Sequence, residues 1–149
     1  MTLYSKLQLQ NCVFFIFQFT FPFRHHVLTD NLLWTENGLR FAWHVMIMEK
    51  NGHTDFTVVN NNTQKKFTVY PSQYLTTIQE KQMSFQPDMI WQFAQHLGEK
   101  YRNNKGLNIS IYANSKVSLN GRASKTYIDP KVDLLTLESV DEIYNHIQP

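Results

Sequence analysis

Two apolar alternations meet at Asn120-Gly121, and this junction restricts the fold more tightly than any other stretch of the chain. Val117 and Leu119 alternate with Ser118, the pattern of a strand with one face buried. Asn-Gly is the dipeptide that most readily takes the two positive φ angles of a tight hairpin turn. The return strand is then Lys125 to Ile128. Pro130 has no N–H to give to a ladder and stops it, and Asp129 beside it is suited to organise the turn. Upstream, Leu107, Ile109 and Ile111 alternate with Asn108, Ser110 and Tyr112, so an extended run leads into the hairpin.

The preceding residues carry further element signals. Trp34 to Gly38 has turn character, and Leu39 to Met48 alternates imperfectly, with Phe41, Trp43, Val45 and Ile47 on one face and Ala42, His44, Met46 and Met48 on the other. That reads as a strand covered on both sides. Asn51-Gly52 marks a turn, Phe56 to Val59 a second strand in hairpin relation to the first, and Lys65 to Tyr70 a third, which together make a meander. Pro71 ends it. A short helix is expected from Leu75 to Met83, starting near Thr76 or Thr77. A clearer helix covers about 87–102, where Pro87 fits the first turn and Asp88 complements the positive end. Ile90, Phe93, Ala94, Leu97 and Tyr101 then recur at helical spacing. Val140 to His146 is a candidate short helix in the tail. The fold class is mainly β (α+β), an antiparallel, β-sandwich-like domain with one clear helix.

A chain of 149 residues holds one domain with a real core. The net charge of +2 is small and its lysines and arginines are scattered, so no electrostatic footprint for nucleic acid exists. The lone Cys12 excludes an internal disulfide and a multi-cysteine zinc site. Aromatic residues make up 14% of the chain, and Phe14, Phe15, Phe17, Phe19, Phe21 and Phe23 crowd one segment. From Cys12 to Phe23 that segment is almost wholly apolar and is followed at once by Arg24-His25-His26. A membrane-spanning helix needs about 20 largely apolar residues, so this run cannot span alone. A signal peptide fits poorly, because no small-x-small cleavage pattern follows. A buried strand, an interfacial segment and the end of a membrane helix remain as readings.

Val117-Ser118-Leu119-Asn120-Gly121-Arg122 and Asp129-Pro130-Lys131-Val132-Asp133 resemble the strand and exit of the C-terminal extramembrane domain of vitamin K-dependent gamma-carboxylases and their bacterial relatives. Phe21-Pro22-Phe23-Arg24-His25 resembles that family's membrane-exit segment, and Trp34-Thr35, Gly38 and Phe41 to Met46 resemble the first strand of its domain. Pro87-Asp88-Met89-Ile90-Trp91-Gln92-Phe93-Ala94 resembles the start of its helix. The blocks keep the family's order. The resemblance implies that residues 1–30 are the remnant of a transmembrane helix and membrane-exit segment, and that 31–149 form a β-rich domain on the extracytoplasmic side. It also implies a piece of a longer, bacterial-type protein whose horizontally transferred transmembrane domain lies upstream. Lys116 and Gly121 depart from the aromatic and acidic residues that relatives tend to carry there, which separates the chain from animal-type propeptide recognition.

Gamma-carboxylases convert protein glutamate to gamma-carboxyglutamate, using a reduced vitamin K-type quinone, oxygen and carbon dioxide. The resemblance places the catalytic lysine and the quinone in the membrane domain, so no catalytic residue and no cofactor is expected in this chain. The chain alone is expected to be inactive. Its implied partners are the upstream transmembrane domain or the membrane, and a glutamate-containing protein substrate. Arg24, His25 and His26 are the candidate substrate-binding residues, Arg24 through its planar fork and His25 as a donor; the alternative is that they mark the membrane–water interface. Trp34, Trp43, Asp88, Asn120, Gly121, Arg122, Asp129, Pro130 and Asp133 are family-motif residues expected to be structural. His44, His53, His96 and His146 show no ligand spacing, so no metal site is expected. Asn61-Asn62-Thr63 and Asn108-Ile109-Ser110 match a glycosylation acceptor pattern that is common by chance. The rival reading is a stand-alone, membrane-associated β-rich binding module without enzymatic activity.

Overall fold

The structure, a computed structural model, describes residues 3–28, 31–40, 42, 48–105 and 107–149. The chain divides into two compact units, Met1–Ile47 and Met48–Pro149.

In the first unit, α1 (Leu3–Thr20) resolves the readings of the Phe-rich run in favour of a helix. Leu7, Leu9, Val13, Phe14, Phe15, Ile16, Phe17 and Phe19 are each more than half exposed, from 52% for Leu7 upwards. Thr20, the last residue of the helix, donates its hydroxyl to the Ile16 carbonyl at 2.8 Å. Pro22 cannot continue an α-helical ladder and is buried in a 3-10 turn, Phe21–Arg24, which leads to α2 (His25–Leu28). No described helix is long and apolar enough to cross a membrane. Trp34 was expected to open a turn. It sits instead in a one-turn helix, α3 (Leu32–Thr35), closed by Glu36 at φ 60. The strand expected over Leu39 to Met48 lies, at residues 41 and 43–47, outside the described residues, and Trp43 with it.

The second unit has the expected α+β character: one four-stranded antiparallel sheet in the order β2-β1-β3-β4, with a helical layer on one face. Strand β1 (Lys50–Asn60) pairs along its full length with β3 (Ile109–Leu119), and its end pairs with β2 (Lys66–Val69). Alternation sets the faces. Thr54, Phe56 and Val58 from β1 lie opposite Ser115, Ala113 and Ile111 from β3, all buried. Facing them are α4 (Thr77–Met83) and α5 (Pro87–Lys105), which bring Met83, Ile90, Phe93, Ala94 and Leu97 into the same core. Burying each such large side chain contributes roughly 1.5–3 kcal/mol.

The turn expected at Asn51-Gly52 is absent, and both residues lie inside β1. Gly52 serves close approach. A Cβ there would fall 2.7 Å from the Ser84 carbonyl oxygen, where the end of α4 crosses the sheet. Thr54, two residues on, donates its hydroxyl to that same carbonyl at 2.9 Å and shares a hydrogen bond with the Ser115 hydroxyl at 2.8 Å. Helix α4 starts where expected, with Thr76 and Gln79 forming a capping box.

The hairpin after β3 forms at Asn120 (φ 51) and Gly121 (φ 72), closed by the Arg122 N–H on the Leu119 carbonyl at 3.1 Å. The return strand β4 is shorter than expected, Lys125–Thr126. Tyr127 still donates to the Ser115 carbonyl at 2.9 Å, but Ile128 changes partner and pairs with Ile147 of the tail, beyond a 3-10 helix over Glu142–His146. That exchange pins the tail to the sheet.

Candidate functional site

In the first unit, the candidate substrate-binding residues occupy one turn after α1. The Arg24 guanidinium lies 4.3 Å from the centre of the Phe21 ring and donates to the Arg40 carbonyl at 2.7 Å. His26 is exposed and lies nearly parallel to the Phe23 ring, with centroids 6.3 Å apart. The His25 side chain lies outside the described residues. Arg24 is thus held by its own chain with its planar fork already oriented.

The second unit carries a groove of about 370 Å³ lined by Tyr74, Leu75, Gln79, Met83, Met89, Gln92, Phe93 and His96. Its construction follows from the local sequence. Pro71 starts a 3-10 turn, Pro71–Gln73, that swings Tyr74 over α5, where its ring meets Phe93 edge-on at 6.0 Å and takes the Lys100 ammonium at 4.2 Å. Met83 and Phe93 form the buried floor, and the amides of Gln79 and Gln92 stand with His96 at an open rim. Gln79 spends its carbonyl oxygen on the capping box, accepting from the Thr76 N–H at 3.0 Å, so its amide donors are what it offers. Two thioethers against aromatic walls make a floor that adapts to differing apolar shapes.

Beside the groove, burial first, then the hydrogen bond and charge of Tyr74, push the Tyr101 phenol up to about 12 from its ordinary 10.0. A phenol so held is a hydrogen-bond donor at neutral pH, with no tendency to act as a base. Among the described residues, no three of His, Cys, Asp and Glu come together as a metal site. In the sequence Phe93 falls in a helix's core stripe, and no pattern marks Tyr74, Met83 or Met89 for binding. The signal that bears on them is Pro71, which places the turn carrying Tyr74.

The family model for the lumenal domain of vitamin K-dependent gamma-carboxylase matches residues 5–149. The chain belongs to this family. Comparison with curated proteins and with solved structures gave no significant match. Within this lumenal domain the motif residues occupy defined structural positions. The Asn120 side chain accepts from the Glu49 N–H at 2.7 Å while its own N–H donates to the Glu49 carbonyl at 2.8 Å, so the hairpin tip holds the entry to β1. Asp129 accepts from the Lys131 N–H at 2.9 Å around Pro130. Asp133 accepts from the N–H groups of Ile111 and Leu135, at 2.9 and 3.1 Å. Asp88 is buried in the first turn of α5, Trp34 is buried in α3, and Arg122 is exposed just past the turn.

Proposed function

We propose that this chain is the substrate-positioning part of a gamma-carboxylase-like integral membrane protein, on the extracytoplasmic side, with the chemical step carried by a membrane domain outside residues 5–149. The observation that carries this reading is the family match, which runs over nearly the whole chain and is to the lumenal domain. Two places suit that role. The groove between α4 and α5 suits an apolar side chain of a protein substrate, with the Gln79 and Gln92 amides at the rim suited to its backbone. Arg24 is the candidate for a glutamate carboxylate through its planar fork, with His25 and His26 next in the sequence. Reduced vitamin K-type quinone, oxygen and carbon dioxide belong to the membrane domain's chemistry, and the lysines here are given no part in it.

The test is carboxylation of a glutamate-containing peptide with reduced quinone and labelled carbon dioxide. The chain alone in lipid nanodiscs should incorporate no label, and adding a family membrane domain should restore incorporation. Label incorporated by the chain alone would sink the proposal.

The exposed apolar surface of α1 favours a second reading, a membrane-associated binding module with no enzymatic partner. Under that reading the chain binds vesicles but adding a membrane domain changes nothing.

A further inference from the structure

We propose that the sheet face opposite α4 and α5 carries a binding site for a neutral saccharide, centred on Tyr112. This goes beyond the proposed function and does not depend on it. The cleft measures about 360 Å³ and is lined by Thr57, Val59, Asn61, Gln64, Lys66, Tyr112 and Pro130. Thr57 and Tyr112 are cross-strand partners, so the centre of the cleft is fixed by the sheet. Val59 is 8% exposed and provides a small apolar floor.

The polar groups are held in place before any ligand arrives. Asn61 donates to the Asn108 side-chain oxygen and accepts from the Ser110 hydroxyl, both at 3.2 Å. Gln64, whose φ is 57, donates to the Asn61 carbonyl at 2.9 Å. A side-chain amide has two donors and an acceptor with two lone pairs, so both retain bonding capacity toward the cleft. Groups locked onto a strand and its tight turn lose little freedom on binding.

The lining decides the class of ligand. Lys66 is its one charged residue, with no carboxylate to balance it, so neither a polyanion nor a cation is matched. An apolar ligand would strip water from the Thr57 hydroxyl, two amides and the Tyr112 hydroxyl and leave them unpaired. A pyranose ring has an apolar C–H face and a rim of hydroxyls. Tyr112 and Pro130 suit the face, and Thr57, Asn61 and Gln64 suit the rim. The volume lies near the lower end of the ~300–1,000 Å³ usual for small-molecule sites, which suits a short saccharide.

The experiment is a heteronuclear NMR titration of the intact chain in phosphatidylcholine nanodiscs, avoiding sugar-based detergents. The probes are methyl β-glucopyranoside, N-acetylglucosamine and maltose, with inorganic phosphate as a comparison. At least one saccharide should give saturable shifts at Thr57, Gln64, Lys66 and Tyr112. Tyr112→Ala should weaken it at least tenfold, Tyr112→Phe less than threefold, and Ile78→Ser on α4 not at all. Gln64→Ala, in the exposed turn, should weaken it several-fold and reports even where Tyr112→Ala unfolds. Absence of saturation with all three sugars, a response to phosphate alone, or binding undiminished in folded Tyr112→Ala and Gln64→Ala proteins overturns the proposal.

Discussion

Asp133 stands in for a missing strand beside Ile111: its Oδ1 accepts from the Ile111 N–H at 2.9 Å, and the next residue, Leu134, donates to the Ile111 carbonyl at 2.8 Å. β4 pairs with β3 only at Lys116 and Val117, so the start of β3 needs another partner on that side. The Asp-Pro exit provides one. The Asp129-to-Asp133 exit is therefore an edge closure for the longest strand pair in the sheet.

Asp133→Ala leaves the Ile111 N–H without its acceptor, next to a side chain that is 0% exposed. The expected cost is about 2–3 kcal/mol, the range for losing a hydrogen bond to a charged acceptor together with desolvation of the orphaned donor. Asp133→Asn keeps an acceptor and should cost about half as much. Urea unfolding of the intact chain measures both, and equal losses for the two variants would show that the charge, and not the acceptor, matters.

Gly52→Ala places a Cβ 2.7 Å from a backbone oxygen and 3.0 Å from the attached carbon, both of Ser84. A backbone cannot swing aside as a side chain can, so α4 must lift from β1, straining the Thr54 bond to the same carbonyl. We expect a loss of about 2–3 kcal/mol. Gly121→Ala meets nothing within 4 Å but sits at φ +72, so strain alone costs about 1–2 kcal/mol. Thermal unfolding of the pair separates crowding from backbone strain; a Gly121→Ala loss exceeding that of Gly52→Ala would refute the close-approach role.

This contrast also explains what was legible in the sequence. Asn51-Gly52 and Asn120-Gly121 are the same dipeptide, and both read as turns. Only the second takes positive φ at both residues. The first is selected by Ser84 at the end of α4, far along the chain, and no local pattern encodes that. The same limit applies to Ile128, whose alternation continues the return strand while the tail residue Ile147 captures it. Helix α5 and the start of α4 near Thr76 were legible because their determinants lie within one or two turns of the residues they fix. At the candidate site, Tyr74 is brought over Phe93 by a turn and Asn61 against Asn108 by strand register, neither of which a linear reading supplies.

Exposed aromatic side chains on α1 should drive membrane association. Phe15 and Phe19 are 59% and 60% exposed, and Phe15 meets the Phe14 ring edge-on at 5.7 Å. Replacing Phe15 and Phe19 by serine removes about 3–6 kcal/mol of transferable apolar surface, at least a hundredfold in partition coefficient. Flotation with phosphatidylcholine vesicles measures this, with circular dichroism confirming that the helix persists. Unchanged flotation in a folded variant would exclude α1 as the anchor.

Tyr101 should make the second unit sensitive to alkali in a defined window. Its folded-state pKa is raised from 10.0 to about 12, chiefly by burial and then by Tyr74. Between those values the unfolded chain has released the phenol proton and the folded chain has not, so the unfolded state binds fewer protons and stability falls as pH rises. Below pH 10 both states are protonated and the contribution is fully present; through about 12 it is lost. A difference titration at the phenolate absorption band, native protein against Tyr101→Phe, should therefore show a midpoint near 12. Tyr74→Phe removes the hydrogen-bond and charge causes while leaving burial, so the midpoint should move only part of the way back. A full return to the ordinary tyrosine value would mean that Tyr74, and not burial against Phe67, governs the site.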